Sequence, residues 1–291
     1  MRFGALNSLL SLQAAALAGA LLVAAPNQLL AEEPGADEKQ AATEEKDPCF
    51  TGKGTVKEVL DACAAFIASG SEDKARLVTA HSVRAMALSA VGDIDGATKD
   101  LDAAIAVDPN APNSYFMRAA ALNAKKDYDK ALGDLDKAVS LDPAHGDFYL
   151  LRGMVYANKG DFDRALVEMN EKVKRDPDSL DGYNKRGDLY RQRKEYDLAV
   201  ADFAEVIKRD AESAKGYISR GWVYVLHNDL DKAQADFDTA LKLQENEPSA
   251  LVGRGVVKSR KGKPTDGSAD ISLAVKLEPT IIEQVRKLGV Q

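Results

Sequence analysis

An arginine recurs every 34 residues, six times without a slip: Arg84, Arg118, Arg152, Arg186, Arg220 and Arg254. A fixed period of this size marks an architecture built by stacking one supersecondary unit on the next, because no single unit buries its apolar face alone. With the arginine at place 7, six repeats tile residues 78–281 without insertion: 78–111, 112–145, 146–179, 180–213, 214–247 and 248–281. Other places repeat in phase with it. Place 4 holds Tyr115, Tyr149, Tyr183 and Tyr217, with His81 and Leu251 in the end repeats. Place 8 holds Gly153, Gly187, Gly221 and Gly255, and place 11 holds Tyr156, Tyr190 and Tyr224. Place 20 is small throughout (Ala97, Ala131, Ala165, Ala199, Ala233, Gly267), and place 24 is large and apolar (Leu101, Leu135, Met169, Phe203, Phe237, Ile271).

Places 4, 8 and 11 share one face of a helix, and places 20, 24 and 27 share one face of a second. Gly-Asp pairs such as Gly92-Asp93 and Gly160-Asp161 mark the turn between them. Asp-Pro pairs at 108–109, 142–143 and 176–177 end the second helix, because proline lacks a donor and the residue before it avoids helical angles. Ala211 and Glu245 stand where that proline is expected in two repeats. A mid-helix glycine costs about 1 kcal/mol against alanine, so its recurrence at place 8 predicts a close approach of the two helices opposite place 20. Each arginine has an acidic companion at place 23: Asp100, Asp134, Glu168, Asp202, Asp236 and Asp270. The pairing reads as one ion pair per repeat, joining either the two helices or adjacent repeats. The competing reading is a row of arginines lining a groove for anions.

These residues resemble the tetratricopeptide repeat (TPR) family, best in Tyr149-x-x-Arg152-Gly153-x-x-Tyr156 followed by Ala165, Met169 and Pro177. The last repeat departs most, with Lys258, Pro264 and Gly267 at the motif places. The resemblance implies an all-α, right-handed α-solenoid of six helix–turn–helix units with capping helices at both ends. It also implies a scaffold that holds a protein or peptide. In this family the concave face is built from places 2, 5, 9, 12 and 13 of the first helices. Here that gives Phe116, Asn123, Leu150, Met154, Asn184, Asp188, Arg191, Ile218, Trp222 and Leu226 among others. Two apolar stretches, Phe116 with Leu150 and Met154, and Ile218 with Trp222 and Leu226, flank the polar Asn184, Asp188 and Arg191. Trp222 is the single tryptophan and reads either as an anchor for a guest or as packing against a neighbouring helix. The carboxylate clamp of some family members is absent, since place 9 carries no asparagine, which leaves an extended peptide or a helix as the expected guest.

The ends carry other information. Residues 1–31 read as a signal peptide: Met1-Arg2, an apolar run from Ala14 to Ala25, and Leu30-Ala31 before two glutamates. Cleavage after Ala31 is favoured, with an earlier cut near Ala25 or an uncleaved anchor as alternatives. The run is short against the ~20 residues of a membrane span, so none is expected after cleavage. Residues 32–48, with seven acids and two lysines, form an acidic linker too polar to fold. Cys49 and Cys63 are the chain's two cysteines. In an exported protein an even pair reads as a disulfide, worth about 3 kcal/mol by chain entropy, against two buried free thiols as the alternative. The bridge pins a strand-like arrival at Cys49 to a helix over 56–68 (Ala64, Ala65 and Ile67 on its apolar side), capping the stack within 49–77. A long first helix over 72–89 follows. After Pro279, the apolar spacing through Ile282, Val285 and Leu288 predicts a short helix in the tail 282–291 that covers the stack's open end.

No catalytic set stands out. His81, His145 and His227 share no metal-ligand spacing, and Asp93-Ile94-Asp95-Gly96 lacks the rest of a calcium loop. A net charge of −7 argues against a nucleic-acid surface. The sequence therefore predicts no enzyme, cofactor, metal or nucleic acid. It predicts a periplasmic or secreted scaffold of unknown oligomeric state. The alternative is an envelope-associated accessory protein holding a cell-wall or polysaccharide ligand.

Overall fold

The computed structural model describes residues 47–289, and every regular element among them is an α-helix. The expected signal peptide, 1–31, and the linker as far as residue 46 lie outside the described residues. The chain divides after Asp142 into two compact parts. The first contains α1 (Pro48–Thr51), α2 (Val56–Ala68), α3 (Lys74–Ala90), α4 (Ile94–Val107), α5 (Pro112–Ala124) and α6 (Tyr128–Leu141). The second contains α7 (Gly146–Lys159), α8 (Phe162–Arg175), α9 (Leu180–Gln192), α10 (Tyr196–Arg209), α11 (Ala214–Leu226), α12 (Leu230–Leu243), α13 (Pro248–Arg260), α14 (Pro264–Leu277) and α15 (Ile281–Arg286).

Each repeat is an A helix (α3, α5, α7, α9, α11, α13), a tight turn and a B helix (α4, α6, α8, α10, α12, α14). Within each part, an A helix packs on its own B helix, and that B helix packs on the next A helix. Place 15 adopts left-handed backbone in all six turns: Gly92, Gly160 and Gly262, but also Lys126, Lys194 and Asn228, at φ 63–64° in the latter three. The amide at place 16 then donates back to the carbonyl at place 11, as Asp93 does to Leu88 and Asp229 to Tyr224 (both 2.9 Å). This closes the A helix with the six-to-one bond of a Schellman motif. B helices end at place 30 with or without the following proline, at Arg209 and Leu243 as at Val107. Proline is therefore compatible with the stop but does not cause it. The shared feature is a residue at place 31 that has left helical angles, Asp108 at φ -136° and Asp210 at φ -140° alike.

The core lies along the seam between A and B helices. The place-20 alanines are fully buried, and Leu135, Met169, Phe203 and Phe237 at place 24 fill the space beside them. The place-8 glycine is needed there. A Cβ on Gly255 would lie 2.7 Å from the carbonyl oxygen of Gly267, and one on Gly153 would lie 2.7 Å from Met169 Cε. The first contact is with backbone, which has little freedom to yield.

At the N-terminal end the Cys49–Cys63 disulfide is formed. Cys49 does not arrive in a strand. It sits in the one-turn helix α1, whose first amides Asp47 caps by accepting from Cys49 N at 2.8 Å. Asp47 and Pro48, expected in the linker, are thus part of the cap. The helix over Val56–Ala68 opens on a capping box formed by Thr55 and Glu58. Its buried side is Val59, Ala62, Cys63, Phe66 and Ile67, while Ala64 and Ala65 face solvent. The bridge sets this rotation, since Cys63 must point at α1. The guanidinium of Arg76, on α3, lies 4.4 Å from the Phe50 ring centroid and 4.7 Å from that of Phe66.

The C-terminal end differs from expectation. The short helix α15 packs on α13 and more lightly on α14. A cap standing where a seventh A helix would stand should bury place 28 of the last repeat. Val275 there is instead 37% exposed, against 8% for Leu241 at the same place in the repeat before. Leu273 and Leu277 are exposed beside it.

Candidate functional site: the A-helix face

The arginine ladder fixes how the A helices are presented. In each repeat the place-7 guanidinium reaches the place-23 carboxylate of its own B helix. Arg186 donates from Nε to Asp202 Oδ2 at 2.9 Å and from Nη2 to Oδ1 at 2.6 Å, and Arg84, Arg118, Arg220 and Arg254 bind their aspartates the same way. Arg152 donates to Glu168 at 2.9 Å. The third nitrogen often crosses to place 25 of the preceding repeat. Arg118 Nη1 donates to Asp102 at 2.6 Å, Arg186 Nη1 to Asn170 at 2.9 Å, and Arg254 Nη1 lies 3.5 Å from Asp238. The arginine thus joins both the two helices of its repeat and the repeat before. The six carboxylates are buried. Burial pushes the Asp100 and Asp270 carboxyls up, but hydrogen bonds from Arg84 and His81, and from Arg254 and Lys258, outweigh it and hold both below the usual carboxylate range. Each guanidinium is thus engaged with a carboxylate inside its own repeat, the arrangement of a structural ion pair.

In the second part, the polar trio expected on the concave face comes from α9. Asp188 pairs with Arg191 Nη2 at 3.2 Å, and its side chain is 42% exposed. Arg191 is buried, and its Nη1 donates 2.8 Å to the backbone carbonyl of Leu288, 97 residues on. Asn184 is half-buried, and its Oδ1 is buried without a hydrogen-bond partner among the described residues. Ile218 and Leu226, on α11, are half-buried and pack on an apolar cluster. Trp222, which the sequence left open between an anchor and a packing residue, is 2% exposed. Its ring meets Phe237 edge-on at 5.1 Å, and its indole N–H donates to Ser249 Oγ at 3.0 Å. Trp222 therefore packs against neighbouring helices, which is the alternative that its sequence position left open.

The same cluster contains Ile281 and Val285 of α15, with Ile282 and Leu288 packed on it. Sequence reasoning placed these on the open end of the stack and missed that they turn onto the A helices. It also missed Ser249 and Val252, at places 2 and 5 of α13, which share the face. The place rule contained both. The tail's direction is a long-range packing outcome with no local signal.

Leu150 and Met154, on α7, are half-buried against Ala165, Met169 and Leu189. Phe116 and Asn123 are half-buried on α5 in the first part. Two buried polar groups elsewhere are structural. His81 holds Nδ1 3.0 Å from Asp100, whose carboxylate can only accept, so Nδ1 carries the proton. Lys172 occupies place 27, where other repeats have alanine or valine, and donates to Asp147 at 2.7 Å and Asp176 at 2.8 Å. Among the described residues no group of three His, Cys, Asp or Glu is placed to hold a metal, and no helix is long and apolar enough to cross a membrane.

Comparison with known proteins agrees with this geometry. Tetratricopeptide repeat models match residues 83–146, 122–185, 180–213 and 214–247, running without a gap over more than half of the chain. No curated protein matches the sequence. Among solved structures, a tetratricopeptide repeat protein from Parabacteroides merdae superposes with a TM-score of 0.63 at 18% identity, over 86% of this chain and 98% of that one. YrrB, described as a TPR protein with an unusual peptide-binding site, gives 0.51 at 22% identity over 66% and 97%. MamA gives 0.50 at 21% identity over 57% and 96%. Identities this low establish a common fold and nothing finer. The chain belongs to the tetratricopeptide repeat family.

Proposed function

We propose that this protein is a non-catalytic scaffold that binds a peptide or helix of a protein partner on the A-helix face of its second part. The observation that carries the reading is the strip formed by Asn184, Asp188 and Arg191 beside Ile218 and Leu226. It supplies an acceptor, a carboxylate and a guanidinium next to apolar side chains, the mixture that orients a peptide while burying part of it. The arginine ladder leaves this strip rigidly spaced, which lowers the entropic cost of binding. YrrB, similar in fold, is described as binding a peptide. The disulfide favours an oxidising compartment, and we place the protein in the periplasm or outside the cell.

A photo-crosslinking residue at Asp188 tests this in living cells, with the exposed B-helix position Leu198 as control. The expected result is one partner captured from position 188 and not from 198. Capture from 198 alone, or from neither, contradicts the reading.

A further inference from the structure

The C-terminal segment is more than a cap. A helix that only closed the array would lie over Val275, which is 37% exposed although Leu241, at the same place in the repeat before, is buried. The chain turns the other way. Ile281 and Val285 are 3% and 5% exposed within the apolar cluster that contains Trp222 and Val225 of α11 and Leu251 and Val252 of α13, and Leu288 packs beside them. Ile281, Val285 and Leu288 stand at i, i+4 and i+7, one face of a helix. At the end of this turn, where a helix leaves carbonyls without internal partners, the Leu288 carbonyl accepts from the buried Arg191 guanidinium. The opposite side, with Glu283, Gln284, Arg286 and Lys287, is exposed.

Resting on the scaffold reading above, we propose that this tail occupies the guest's seat, and that the guest is a short amphipathic helix of the same design. That helix presents apolar side chains at i, i+4 and i+7 and a C-terminal carbonyl to Arg191. It binds by displacing residues 281–289. The tail is the one ligand whose chemistry the structure displays on this face, and it shows what the face selects. The apolar positions are spaced for a helix and not for an extended strand, and the buried Arg191 guanidinium that meets the tail is a donor, suited to a helix C-terminus. Because the tail is tethered, its effective concentration is on the order of millimolar. A free guest is therefore weakened by the fraction of time the seat is open.

The test uses the full chain and a fluorescein-labelled peptide of residues 278–289. Val285→Asp releases the tail, because a carboxylate is not tolerated in the apolar cluster. Anisotropy is expected to show at least tenfold tighter peptide binding to V285D than to the native chain. Adding Arg191→Ala to V285D should weaken binding about tenfold. If V285D loses its helical circular dichroism, the milder Leu288→Ala replaces it with the same expectation at smaller amplitude. Equal affinity for native and released chains, no binding by either, or indifference to Arg191→Ala overturns the proposal. A native dimer that disappears in V285D would give the seat to a second copy's tail and also overturn it. If the peptide fails to bind while crosslinking from position 188 still captures a partner, this inference falls and the scaffold reading stands.

Discussion

The segment before the first repeat and the segment after the last are both short helices laid against an A helix, but they are held by different chemistry. The N-terminal pair α1–α2 is bound covalently through Cys49–Cys63, and Arg76 lies against both of the rings that flank it, Phe50 and Phe66. The C-terminal helix α15 is held by four apolar side chains, Ile281, Ile282, Val285 and Leu288, and one hydrogen bond from Arg191. A crosslink that constrains the unfolded chain makes the first cap permanent. So small an apolar contact can open locally at small cost without disturbing the rest. One end is built to stay shut and the other to exchange, and that difference matters because only the second lies on the face proposed for partners.

The interior sets the scale against which either end is judged. Asp202→Asn removes the charge of the buried carboxylate doubly bonded to half-buried Arg186 and should cost about 3 kcal/mol, read by urea unfolding. Unchanged stability would reopen a ligand-binding role for the arginine row. Cys63→Ser should cost about 2–4 kcal/mol, and the same loss should follow from reduction of the native chain. Val285→Asp should cost less than about 2 kcal/mol, since the tail can leave its seat instead of burying the charge. A tail variant as damaging as the cysteine variant would erase the contrast between the ends.

Acid should act on both parts through the same ladder. Asp100 and Asp270 titrate below their unfolded values, so the stability that they contribute is present above about pH 4 and is lost as pH falls through their lower folded values. Acid unfolding with Asp270→Asn should begin from a lower baseline and show a shallower dependence on pH in that range. The smallest change expected is a gain. Lys194→Gly relieves a left-handed lysine and should stabilise by about 0.5–1 kcal/mol, with Gly160→Ala costing a similar amount in the opposite sense.

Much of this was legible in the sequence because it is local or periodic. Helix phase, the turn at place 15, the place-8 glycines and the arginine–acid pairing follow from a register that repeats six times. The cysteine pairing followed from there being two. What failed was non-local or too short for periodicity to detect. Cys49 lies in a four-residue helix, and the rotation of α2 is dictated by the bridge and not by its own apolar pattern, which is why Ala64 and Ala65 point outward. The prolines after B helices looked causal, but Ala211 and Glu245 follow helices that end at the same place. Place number alone left Trp222 open between the partner face and packing, and only the long-range contacts with Phe237 and Ser249 decide for packing. The direction of α15 depends on which surface is more apolar once the repeats have stacked, and no single window of sequence holds that information.

Hydrogen exchange on the native chain, with and without an excess of the 278–289 peptide, tests the central claim most directly. The account predicts that amides of residues 284–289 exchange far faster than those of α2, and faster still when the peptide competes for the seat, while α13 remains protected. Tail amides protected to the level of α2 and indifferent to the peptide would contradict it.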